Sequence, residues 1–142
     1  MKPFSVQTIH GLVEAVTGGS ANDSSKPIGH YRSGPKLERF FGALNIQLKI
    51  GNGSRVPTVI DVLTSTNQTE PEAIVRVIDA VSDPRDFLDE PDKLDEPDKH
   101  TAVVEYLNKR LKYDGWADLK IVGIFNSAPV TMGSDAITSF PG

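Results

Sequence analysis

The feature that most constrains this chain is the apolar stripe that follows Ser33. Leu37, Phe40, Phe41 and Leu44 recur at spacings of three, one and three, which places them on one face of an α-helix. Ser33 is suited to the N-cap, because its hydroxyl can accept from an unpaired N–H of the first turn. Pro35 suits that turn, where its missing N–H and fixed φ carry no penalty. Lys36 and Arg39 fall off the apolar face, and Tyr31 and Arg32 stand just ahead of the cap. Two readings of residues 30–44 follow. One is a capped amphipathic helix that fills a core. The other adds a positive rim of Tyr31, Arg32, Lys36 and Arg39, joined by Arg55, that receives an anion or a partner, since a helix N-terminus attracts negative charge.

Further helical stripes accompany it. Phe4, Ile9, Leu12, Val13 and Val16 share a helical face over residues 4–16, with Gly11 weakening the helix a little. A short helix is expected over 58–65, where Val59, Ile60 and Val62 are β-branched and packing must hold it. Residues 66–69, Thr-Asn-Gln-Thr, read as a break. A helix with Pro71 near its start then carries Ile74, Val77, Ile78 and Val81 on its core face. Two short helices about a four-residue break resemble a helix-turn-helix pair, an arrangement that most often only packs. Residues 100–112 form another clear helix, with Val103, Val104, Leu107 and Leu111 as its stripe and Asp98 or Thr101 as its cap. Lys109, Arg110 and Lys112 fall in its last turn, favourable to the helix dipole, and Gly115 suits a left-handed end.

Between these helices the pattern changes. Ile46, Leu48 and Ile50 alternate with polar residues, which predicts a short strand. Residues 119–125 also read as β, in a hairpin or one bulged strand that 46–50 could join. Residues 17–28 read as an exposed loop and 51–54 as a turn cluster. The glycines of 51–54 lack the GK[ST] sequence that a phosphate cradle requires. Over 83–99 there are eight acids and three bases, and LDEPDK occurs twice in tandem at 88–93 and 94–99. Its prolines forbid a continuous helix, and each unit lacks the Gly and distal Glu of a calcium loop. A tolerated loop expansion is the simpler reading.

The expected fold is therefore mainly α, a compact bundle of about five helices with a small β-hairpin or short sheet near the C-terminal end. Residues 1–126 would form a single domain, and the polar residues 127–142 a tail or linker toward a further domain. A chain of 142 residues can bury a sizeable core, although 38% apolar content implies that part of it stays unpacked. The absence of cysteine excludes disulfides and thiolate metal sites, and fits a cytoplasmic setting. No run approaches the roughly 20 apolar residues that span a membrane, and no secretory signal is expected from residues 1–16. The charge is uneven: residues 1–69 carry seven Lys/Arg against four Asp/Glu, and residues 70–142 carry eight against fifteen. An acidic total disfavours indiscriminate nucleic-acid binding, while a basic half still offers a local patch.

No nucleophile elbow, HExxH or dinucleotide fingerprint is present. His10, His30 and His100 are isolated in sequence. No catalytic residue, metal site or cofactor is therefore expected.

Four phrases occur in order: YRSGPKLERFF at 31–41, GSRVPTVIDVL at 53–63, DPRDFL at 83–88 and VVEYLNKRLKYDGW at 103–116. Together they resemble the N-terminal domain of bacterial abortive-infection proteins of the AbiJ type, over most of residues 4–125. The resemblance implies a sensing or regulatory module in phage defence, followed by a helical effector domain that is often a HEPN ribonuclease. In such ribonucleases an Arg precedes a His by four to six residues. Here Arg85 stands fifteen positions before His100, and neither His10 nor His30 has any Arg before it. The resemblance thus implies a non-catalytic chain whose partners are a C-terminal effector domain and a phage-derived or nucleic-acid trigger, with a homo-oligomer also compatible. The alternative is a winged-helix-like nucleic-acid-binding domain.

Overall fold

The structure is a computed structural model, and it describes residues 1–19, 28–88 and 98–116. Five α-helices account for most of these residues: α1 (Val6–Thr17), α2 (Gly34–Gly42), α3 (Arg55–Thr69), α4 (Pro71–Val81) and α5 (Lys99–Leu111). Short 3-10 segments occupy Pro84–Phe87 and Lys112–Asp114. No strand occurs among the described residues. The β segment expected at 119–125, the tail, the LDEPDK repeat at 89–97 and the loop residues 20–27 lie outside them.

Helix α1 packs on both α3 and α5, and α3 packs on α4. Leu12, Val16, Leu37, Phe41, Leu63, Ile74, Leu107 and Leu111 are fully buried where these helices meet. Each comes from a stripe with helical spacing, so burial of apolar area, on the order of 25 cal/mol per Å2, drives the assembly.

Side-chain chemistry fixes the helix ends. Ser5 caps α1 by accepting from the Thr8 N–H at 3.3 Å. Gly18 closes α1 in the left-handed region at φ +75°, and a Cβ there would stand 2.5 Å from the backbone of His30 and Tyr31. Only glycine meets both demands. Asp98, rather than Thr101, caps α5, accepting from the Thr101 N–H at 2.8 Å. These bonds hold the Asp98 carboxyl below its usual range.

The other expected cap, the Ser33 hydroxyl, makes no capping bond, although the Ser33 backbone adopts the cap conformation. Pro35 sits in that turn and has no N–H to offer. At its far end α2 closes through Asn45 at φ +61°, with Ile46 donating to Phe41 at 2.9 Å and Asn45 to Gly42 at 3.1 Å. These are the two bonds of a Schellman ending.

Two expectations are corrected. Residues 46–50 are not a strand. Ile46, Leu48 and Ile50 are buried and Gln47 and Lys49 exposed, so the alternation is present without a ladder. Glu38 of α2 secures the end of this segment by accepting from the Ile50 N–H at 2.8 Å and, at 3.3 Å, from that of Gly51. Those bonds hold its carboxylate below the ordinary pKa. The second correction is at 66–69, where no break occurs. Helix α3 starts three residues earlier than expected and continues through Thr69. Asn67 in its last turn is buried, and its amide both accepts from the Phe4 N–H and donates to the Phe4 carbonyl, each at 2.9 Å. Only Glu70 separates α3 from α4, and Pro71 keeps that residue out of the helical region. The four-residue turn on which the helix-turn-helix likeness rested is therefore helical.

Candidate functional site

The loop expected to be exposed over 17–28 instead starts inside the molecule. Thr17, Gly18 and Gly19 are buried, as is Gly29. The C-terminal carbonyls of α1 thus point into protein and need donors, yet the last turn of α1 contains no basic residue. Arg32 and Arg55 supply the donors. Arg32 is only 6% exposed; its Nη1 donates to the Val16 carbonyl at 2.9 Å and its Nη2 to Asp86 Oδ2 at 2.6 Å. Its guanidinium also lies 4.5 Å over the Phe40 ring. Arg55 donates through Nη2 to the Thr17 carbonyl at 2.6 Å, through Nη1 to that of Gly19 at 3.4 Å, and through Nε to that of Arg32 at 2.9 Å. Two cations at the negative end of a helix dipole are favourable in addition to the bonds they make.

The five residues of the expected rim consequently divide. Arg32 is inside and is not a rim residue. Arg55 is half-buried, with Tyr31 stacked 4.0 Å beneath its guanidinium. Tyr31 is 58% exposed. Lys36 and Arg39 are exposed on the outer face of α2, and neither makes an ion pair among the described residues.

Sequence separation concealed a second convergence. His30 stacks on Phe87 at 4.4 Å between ring centres, and His100 meets the same ring edge-on at 5.5 Å. His30 Nε2 lies 2.5 Å from the Asp86 carbonyl and His100 Nε2 lies 2.8 Å from that of Ser82. A carbonyl only accepts, so each Nε2 carries a hydrogen and donates. Both imidazoles thus touch the one Phe87 ring. Among the described residues, no three histidines and carboxylates are placed to hold a metal ion. These contacts anchor the Pro84–Phe87 segment to α5 and to the approach of α2.

A cleft of about 350 Å3 lies where α1 and α5 meet beside α3, lined by His10, Gly11, Glu14, Ile60, Tyr106 and Arg110 among others. Arg110 does more than face the helix dipole. Its guanidinium lies 3.8 Å over the Tyr106 ring, and Nη1 donates to the Tyr106 carbonyl at 2.9 Å. A Cβ on Gly11 would collide with Cδ and Nε of Arg110, so the missing side chain opens the path this arginine takes across α1. Burial pushes the Tyr106 phenol above its ordinary pKa; the Arg110 guanidinium opposes that shift and Glu14 reinforces it. The phenol is therefore a hydrogen-bond donor at neutral pH. A glycine inside an amphipathic helix, with a Tyr and an Arg four residues apart on another, was the sequence signal for this cleft.

No helix among the described residues is long and apolar enough to cross a membrane. No family model matches this chain, and no curated protein or solved structure matches it.

Proposed function

We propose that this chain is a non-catalytic recognition or regulatory module of a cytoplasmic abortive-infection protein, coupling a trigger to an effector domain that follows it. The four ordered phrases that resemble AbiJ-type N-terminal domains support the defence setting. The observation that carries the recognition role is the division of the basic residues. Arg32 and Arg55 are engaged by carbonyls and Asp86, while Lys36 and Arg39 stand exposed and make no ion pair among the described residues, near Tyr31 in sequence. That outer face of α2 offers two cations to an acidic partner without loss of a structural contact. The module needs no cofactor, and any chemistry belongs to the effector.

The test is the double variant Lys36→Glu/Arg39→Glu in the full-length protein, with phage protection and thermal stability both measured. Protection should fall while the melting temperature stays within about 2 °C. Unchanged protection would remove these residues from the site. Binding to duplex and single-stranded nucleic acid across a salt series separates the alternative reading. Two phosphate contacts give a slope of about −1.8 in log affinity against log salt. A much steeper slope would favour a nucleic-acid-binding domain.

A further inference from the structure

We infer that the α1–α5 cleft is a binding site for a small organic carboxylate that also carries an amine, the chemistry of a free amino acid. This site is separate from the α2 face and does not depend on the defence reading. Arg110 carries the inference. Its guanidinium is fixed by the Tyr106 ring on one side and by one bond to the Tyr106 carbonyl. Its Nε and Nη2 donors have no protein partner, and no carboxylate lies within ion-pair distance of it, among the described residues. A guanidinium held in place and not neutralised presents parallel N–H groups that match the two oxygens of a carboxylate.

Glu14 supplies the complement. It lines the same cleft, half-buried, and makes no ion pair with Arg110 or with any other described residue. Opposite charges that share a cleft without touching leave room for a molecule carrying both signs. The Tyr106 phenol and the exposed His10 add polar contacts, while the half-buried Ile60 offers apolar surface to a short aliphatic side chain. The volume of about 350 Å3 lies at the small end of the range that ligand sites occupy.

The experiment is a titration of the intact chain with leucine, followed by backbone amide NMR. Leucinamide, which lacks the carboxylate, and N-acetylleucine, which lacks the amine, are run beside it. The expected result is saturable shifts at Gly11, Glu14 and Tyr106 with Kd in the millimolar range or below. Both analogues should bind at least about tenfold more weakly. Arg110→Lys keeps the charge but loses the fork, and should weaken leucine binding about tenfold. Gly11→Ala displaces the flexible end of Arg110 rather than backbone, so that variant should fold and show the same loss. Lys36→Glu/Arg39→Glu should bind leucine like the parent chain. The inference is overturned if leucine gives no saturable shift at these amides up to about 50 mM, if leucinamide binds as well as leucine, or if Arg110→Lys leaves the affinity unchanged.

Discussion

Two basic regions lie within a few residues of each other in sequence and have opposite fates. Arg32, with Arg55, is drawn into the end of α1, where four carbonyls and the Asp86 carboxylate take up the two guanidiniums. Lys36 and Arg39, four and seven residues later on α2, remain in solvent. Residue type does not decide between these outcomes. What decides is demand: the end of α1 is buried and has no basic residue of its own, whereas the outer face of α2 lies in solvent. A cluster of positive charge in a sequence can therefore contain both a structural clamp and cations left in solvent.

Substitution can break or sharpen this contrast. The largest effect is expected at Arg32. Its replacement by Met keeps the apolar stem over Phe40 but leaves the Val16 carbonyl and a partly buried Asp86 without their donor. A loss of about 3 kcal/mol in chemical denaturation is expected. Arg55→Met should cost about 1.5 kcal/mol, because Arg55 is half-buried and water can replace part of what it gives.

The opposite pole of a helix supplies the next test. Asp98→Ala removes the cap of α5 and should cost about 1 kcal/mol at neutral pH. Its sign with pH is fixed by the lowered pKa of Asp98. The stabilisation is present above the unfolded-state pKa of about 3.9 and is lost as pH falls through the lower folded value. Parent and variant should thus converge in stability only in acid.

Smaller still, Lys36→Glu/Arg39→Glu should change stability by less than about 0.5 kcal/mol. Deleting either LDEPDK copy yields one and the same chain and leaves an Asp immediately before the Lys-His start of α5. Its melting temperature should stay within about 3 °C of the parent, since loop length enters stability only logarithmically. A large drop would reject the reading of that duplication as a loop expansion.

The contrast also explains what could be read beforehand. Leu37 and Phe41, Ile74 and Val77, and Val103, Val104, Leu107 and Leu111 are all buried as their spacing indicates, because a helix makes its own hydrogen bonds and its apolar face follows from local periodicity. At 46–50 the burial pattern was legible and the element was not. Alternation reports which side chains are covered, while a strand also needs a neighbouring strand. The last turn of α3 was missed for the converse reason: Asn67 is held by Phe4, 63 positions away. Partners for Arg32 and Arg55 are equally distant, Asp86 at 54 positions and Thr17 at 38. Lys36 and Arg39 stay outside as expected, because no described residue pairs with them, whereas Tyr31 keeps its exposure while stacking on Arg55, 24 positions away. The cleft was missed because Gly11 was weighed only for its helix propensity, and not for the side chain of another helix that its absence admits.

The separation of clamp from surface is tested most directly by a double-mutant cycle between Arg32→Met and Asp86→Asn, measured by chemical denaturation. A coupling energy of about 1.5 kcal/mol or more is expected for a charged pair 2.6 Å apart at the protein interior's edge. A coupling indistinguishable from zero would contradict the account, because Arg32 would then be a surface cation like Lys36 and Arg39.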